Sequence, residues 1–265
     1  MCGIFGYMLS KPVPLDMAFR VLQRLEAHKY SQEPNPLGGY GAGLAVLLDD
    51  GTVISQKIGS TDSSPARHLS KTWDSNVSEA SILISHVRMP SPEFTKTASH
   101  KETAQPYVVE FEPDLTVASV HNGKVHNYEH LRKSLGSRHV FESEKVQLVD
   151  SEVIPHHFEE LLTETEDVDE ALYRLSCTLE GPSAIGMLHM DEENTFLHLI
   201  HKGKTRGLIV WTNNRNEVLF CSRKEPLTEE FRRILARGKF KEKASIRWSE
   251  DAGLKLSFSK TAIKA

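Results

Sequence analysis

The chain has 265 residues, 39% of them hydrophobic, enough to bury a substantial core as one large domain or two small ones. Its 32 basic and 36 acidic residues leave a formal charge of -4 with no Lys- or Arg-rich segment, which argues against nucleic acid, and no apolar run reaches the ~20 residues of a membrane helix. Three cysteines, at 2, 177 and 221, make neither a disulfide framework nor a metal motif, and the opening MCGIFGYMLSKPVP lacks a basic leader, so a reducing cytoplasm is expected.

Residues 3–9 are apolar with an aromatic and a β-branched member, the pattern of a buried strand that begins almost at the terminus. Pro14 and Asp16, followed by Leu15, Ala18, Phe19, Leu22 and Leu25 at helical spacing, predict an amphipathic helix ending near His28. SQEPNPLGG (31–39) reads as a loop, and 43–48 and 52–56 flank the hairpin-like Asp49-Asp50-Gly51. Further strands are expected at 81–87, 107–111 and 115–121, then helices at 127–135, 151–163 and 168–179. Strands return at 184–190, 195–201, 208–211 and 218–222, with turns at Asp191-Glu192-Glu193-Asn194 and Asn213-Asn214. A helix after Pro226 and strands at 244–248 and 254–258 complete the series. Strands on both sides of central helices, without strict βα alternation, predict an α+β fold: an αββα sandwich of two stacked antiparallel sheets flanked by helices, as one domain over 1–265.

A cysteine behind the initiator Met becomes, once Met1 is removed, a residue carrying both a thiol and a free α-amine. Their intrinsic pKa values, ~8.5 and ~7.7 to 8.0, let the amine act as base for its own thiol. Alone, Cys2 reads better as a small buried hydrophobe or a lipidation site than as a nucleophile. Its sequence context changes that. MCGIFGY, GGYGAGLAV (38–46), ISHVRMPS (84–91), VHNGKVHNYEHLR (120–132) and VDSEVI (149–154) occur in an order that resembles the class II glutamine amidotransferases, the glutaminase domains of glucosamine-6-phosphate synthase and related enzymes.

The resemblance implies hydrolysis of L-glutamine to glutamate and ammonia through a Cys2 γ-glutamyl thioester. It makes Asn122 and Gly123 the oxyanion donors, which suits an Asn-Gly leaving an apolar strand, though an isolated Asn-Gly would be read as a turn. Arg88, at the end of a strand and before Pro90, would clamp the substrate carboxylate by two parallel bonds. Asp150 would receive the α-ammonium while also serving near a helix N-terminus. His86 stands with His121 as a hydrogen-bonding residue beside the substrate. The sequence departs from the family at the Pro-rich SQEPNPLG, at Tyr40-Gly41 in place of Asp-Ser, and at Met89-Pro90-Ser91-Pro92 after the arginine.

No cofactor or metal is called for: His126 and His130 have i, i+4 spacing, but no acid flanks them in a metalloprotease pattern. The expected partner is a separate synthase subunit that accepts the ammonia, its docking ordering the 31–39 segment; the chain's own oligomeric state, homo-oligomer or monomer, is left open. The competing readings are another N-terminal-nucleophile hydrolase of γ-glutamyl or acyl amides, and a regulatory subunit that keeps the fold without the chemistry.

Overall fold

A computed structural model describes residues 2–48, 50–74, 76–111, 115–191 and 194–261; Met1, Asp49 of the first expected turn and Glu192-Glu193 of the later one lie outside them. The described residues form twelve strands and six α-helices arranged in four layers. Strands β1 (Gly3–Pro14), β2 (Gly41–Leu47), β3 (Val53–Gly59), β4 (Glu79–Val87), β9 (Leu208–Thr212), β10 (Val218–Cys221) and β11 (Lys241–Ile246) form one sheet in the order β11-β9-β10-β1-β4-β2-β3. Strands β5 (Tyr107–Phe111), β6 (Leu115–Gly123), β7 (Ser183–Met190), β8 (Asn194–Lys202) and β12 (Leu254–Thr261) form the second, in the order β12-β8-β7-β6-β5. Neighbours run antiparallel throughout both. This is the expected αββα sandwich.

The layers follow from side-chain alternation along the strands. Ile4, Met8, Ala45, Ile82, Ile84, Ala118, Val120 and Leu188 fill the space between the sheets. The opposite face of the seven-stranded sheet, with Phe5, Tyr7, Leu83 and Val87, packs on α1 (Leu15–Ala27) and α6 (Lys224–Arg237) through Leu22, Leu25, Leu227 and Phe231. Val117, Ile185 and Met187 of the five-stranded sheet cover α3 (Tyr128–Ser134), α4 (Val153–Thr165) and α5 (Val168–Thr178).

Helix α2 (Pro65–Thr72) is an element that the sequence reading left out. Its apolar stripe is only Ala66 and Leu69 with Pro65, too short for a periodicity signal. Its start is marked: the Ser64 hydroxyl accepts the Arg67 N–H at 3.1 Å and Pro65 follows it. The buried Glu26 of α1 ties the same turn down, accepting the Ala66 N–H at 3.1 Å and the Ser64 hydroxyl.

The Pro-rich 31–39 segment is anchored from within the chain. Glu33 is buried and accepts the Tyr30 N–H at 2.9 Å, while Arg206 and Arg223 donate to its other oxygen at 2.7 and 2.5 Å. Arg206 also donates to the Asn35 carbonyl at 3.3 Å, a further tie on the segment.

Candidate active site

Cys2 lies at the entry to β1. The β1–β4 register pairs Gly3 with Val87, and one step further sets Cys2 across from Arg88. Residues 2 and 4 share a face, as do 84, 86 and 88, and as do 120 and 122 on β6. Because Ile4, Ile84 and Val120 point between the sheets, alternation turns Cys2, His86, Arg88 and Asn122 toward that same gap, at the ends of their strands where the hydrophobic packing runs out.

The Cys2 sulfur is half-buried and receives the Met89 N–H at 3.3 Å, with the Met89 carbonyl 3.5 Å away. Asn122 is fully buried and its Nδ2 reaches the Ser222 hydroxyl at 3.5 Å. That hydroxyl also accepts the Ile4 N–H at 3.1 Å, and the Ser222 N–H donates to the Ile4 carbonyl at 2.9 Å, so one serine couples Asn122 to the strand that carries Cys2. The Asn122 side-chain oxygen Oδ1 is buried and has no partner among the described residues. Gly123 is enforced sterically: a Cβ there would sit 2.1 Å from the Pro182 carbonyl oxygen and 2.7 Å from His121 Nε2.

The Arg88 guanidinium is buried and fixed. Nη1 donates to Thr103 Oγ1 at 2.7 Å and to the Thr97 carbonyl at 3.2 Å, and Nη2 donates to Thr97 Oγ1 at 2.8 Å. An arginine has five N–H donors. Three are engaged here, and the other two make no hydrogen bond to the described residues. Burial lowers its pKa while the charges of Cys2, Tyr107 and Asp150 raise it, which places those three groups within electrostatic reach.

Asp150 opens a 3-10 turn (Asp150–Glu152) ahead of α4 and is buried, its Oδ2 accepting the Val125 N–H at 2.9 Å and its Oδ1 the Ser151 hydroxyl at 3.3 Å. Burial pushes its carboxyl up to about 6 against the pull of those bonds. An acid in that condition is short of a positive partner. Asp150 is attached to the same loop as the end of β6 in a second way, because the His121 ring bonds Ser151 Oγ at 2.9 Å and Ser183 Oγ at 3.2 Å. His121 therefore points to the helical side of its sheet, away from Cys2. Burial drives its pKa down to about 3, so it works as a neutral brace.

His86 is sealed between the sheets, and neither ring nitrogen has a hydrogen-bond partner among the described residues. Burial, then the charge of Arg88, holds its pKa well below the usual histidine range. The strand register thus brings Cys2, Arg88, Asn122 and Gly123 to one end of the two sheets, the Val125 N–H ties Asp150 to the chain just beyond β6, and His86 is sealed between the sheets.

Four contributors escaped the sequence reading. Thr97 and Thr103 hold Arg88, Ser222 couples Asn122 to β1, and Gln105 braces His121 by accepting its N–H at 2.6 Å and donating to its carbonyl at 3.2 Å. Tyr107, with a buried hydroxyl that has no partner among the described residues, lies close enough to feel Arg88 and Asp150. No local pattern marks any of these positions.

The i, i+4 metal reading of His126 and His130 loses its premise, because His126 precedes α3 and both are exposed. One group, His139, Glu159 and Glu160, brings its ligand atoms within 4.8 Å of one another. Arg138 already neutralises both of its carboxylates at 2.7 and 2.5 Å.

Two antiparallel sheets between helical layers, with a cysteine at the head of an inner strand, define the N-terminal-nucleophile hydrolase architecture. The glutamine amidotransferase domain family matches residues 95–229, just over half of the chain. The chain belongs to that family, as a class II glutamine amidotransferase.

Among curated relatives, glutamine–fructose-6-phosphate aminotransferase (isomerizing) of Bacillus thuringiensis subsp. konkukian is 28% identical over 221 residues, 82% of this chain and 32% of that protein. The Chlamydia muridarum protein of the same name is 30% identical over 203 residues, 74% of this chain and 28% of its own length. This chain thus spans about a third of the relatives it matches. Among solved structures, glutamine phosphoribosylpyrophosphate amidotransferase from B. subtilis superposes with a TM-score of 0.63 at 16% identity, covering 97% of this chain and 48% of that one. An allosteric regulatory enzyme of purine biosynthesis gives the same score and identity over 100% of this chain and 50% of its own. These likenesses support the fold.

Proposed function

We propose that residues 1–265 act as one glutaminase domain that hydrolyses L-glutamine through a γ-glutamyl thioester on Cys2. The observation that supports this reading is that Cys2, Arg88 and Asn122 lie at neighbouring strand ends of the two sheets, with Asn122 coupled to β1 through Ser222.

In this scheme removal of Met1 frees the Cys2 amine, which takes the thiol proton, directly or through water, as the sulfur attacks the carboxamide carbon. Negative charge collects on the carboxamide oxygen. The Asn122 Nδ2 proton not directed at Ser222 and the Gly123 N–H receive it, a contribution of ~3 to 4 kcal/mol for such a donor. The amine returns its proton to the departing nitrogen, ammonia leaves, and water repeats the sequence on the thioester to release glutamate. The two free N–H groups of Arg88 take the substrate carboxylate side-on, and Asp150 takes its ammonium. A zwitterion is then recognised at both charges, each an ordinary ground-state contact.

The ammonia is consumed by a synthase component outside residues 1–265. Near neutral pH free ammonia is mostly protonated and unreactive, so transfer at close quarters favours a docked acceptor. The test is turnover of glutamine by the purified protein, compared with γ-glutamyl peptides and simple acyl amides. Hydrolysis confined to glutamine supports the reading, and equal rates on acyl amides would replace it with a general amide hydrolase.

A further inference from the structure

Tyr107, the first residue of β5, is a buried phenol whose hydroxyl has no hydrogen-bond partner among the described residues. Buried tyrosine hydroxyls normally find one, because a desolvated and unpaired O–H is costly. The ring is held on several sides. It packs with Phe94 and Val149, and Lys57 Nζ lies over it, 4.6 Å from the ring centre, while pairing with Glu142 at 2.6 Å. Phe94 belongs to the 3-10 segment Pro92–Thr97, whose last residue grips the Arg88 guanidinium, and Val149 directly precedes Asp150. Tyr107 is therefore wedged between the segment that fixes the cation of the proposed amino-acid subsite and the segment that carries its anion.

The charges around the hydroxyl agree with that placement. Burial holds its pKa well above the usual tyrosine range, Glu152 and Asp150 push the same way and Arg88 opposes them, so the group stays a neutral donor. The neighbouring acids are engaged elsewhere. Glu152 accepts the Glu142 and Ser143 N–H groups at 2.6 and 2.9 Å, and Asp150 accepts the Val125 N–H and the Ser151 hydroxyl. Arg88, with three N–H groups bound to Thr97 and Thr103, brings two donors to a ligand, whereas a carboxylate has about four lone-pair sites to fill. A third donor beside Arg88 matches what such a ligand accepts.

We infer, resting on the glutaminase reading, that Tyr107 is a specificity-determining residue of that site: its hydroxyl donates to the α-carboxylate of the substrate alongside Arg88. The site then distinguishes an amino acid from a simple acyl amide by a neutral donor as well as by charge, and the hydroxyl gains its acceptor when substrate binds.

Tyr107→Phe keeps the ring and removes only the hydroxyl, so it tests the assignment in the full chain. The melting temperature should be unchanged or higher, because no bond within the protein is lost. KM for L-glutamine should rise about tenfold or more with kcat within about twofold of wild type, and inhibition by L-glutamate should weaken in step. 4-Aminobutyrate, which lacks the α-carboxylate, should inhibit wild type and variant to the same extent. An unchanged KM, a fall in kcat alone, weakened inhibition by 4-aminobutyrate or a lower melting temperature would overturn the assignment. Wild-type protein that leaves glutamine intact would sink the glutaminase reading and this assignment with it, so the wild-type control tells the two failures apart.

Discussion

Asp150 and Glu33 are both buried acids in irregular segments, and their surroundings are opposite. Burial alone would raise the Glu33 carboxyl, but the Tyr30 N–H and the bonds from Arg223 and Arg206 outweigh it and hold the group below the usual carboxylate range. Asp150 has a backbone N–H and a hydroxyl but no ion pair among the described residues, and burial pushes it up to about 6. A charge meant to hold a segment in place is balanced inside the protein. Under the proposed function, the acid left without such a balance is the one that pairs with the ammonium of the substrate.

Five substitutions, an N-terminal tag and an acid titration sharpen or break this contrast. The largest effect is expected for Cys2→Ala, which removes the proposed nucleophile: glutamine turnover should fall by about 10^4-fold or more with no change in far-UV dichroism. An uncleavable N-terminal tag should do the same by converting the α-amine to an amide, and an active tagged enzyme would contradict the proposed base.

Glu33→Gln, which strands two buried arginines, should cost about 3 to 5 kcal/mol of stability in urea unfolding. Asp150→Asn should cost far less, because it removes a buried charge that has no cation. If the two proved equally destabilising, the contrast would fail. Asn122→Ala should lower kcat by about 10^2 to 10^3-fold with KM little changed, a split that steady-state kinetics resolves.

Asp150→Asn and Arg88→Lys should instead raise KM for glutamine by roughly 10 to 100-fold, since each weakens a charge-assisted contact already present in the bound ground state. The mildest perturbation is acid. Below about 6 the Asp150 carboxyl is protonated and cannot pair with an ammonium, so affinity falls as pH falls, by up to about tenfold per unit, and returns above that value. Asp150→Asn should flatten this profile, and an unchanged acid limb would assign it to another group.

Much of the fold was legible because periodicity survives translation into packing. Leu15, Ala18, Phe19, Leu22 and Leu25 predicted α1 to within a residue, and Ala171, Leu172 and Leu175 mark the buried face of α5. Short elements without a stripe, such as α2, were not legible. Residues 3–9 announced β1 but not its extension to Pro14, where a register shift after Met8 lets the strand continue along β4.

By itself the sequence determined the chemical vocabulary: a cysteine behind the initiator Met, a strand-terminal Arg88, an Asn-Gly leaving β6 and an acid ahead of α4. Each belongs to a motif that is local in the chain, and local motifs can be read. Only the tertiary structure decided the supporting set, because those contacts span large separations. Ser222 meets Ile4 across 218 residues and Asn122 across 100. Glu33 meets Arg206 across 173. Such pairs are set by which strands become neighbours in the sheets, and that is fixed by burial of whole faces rather than by the identity of the residues that end up touching.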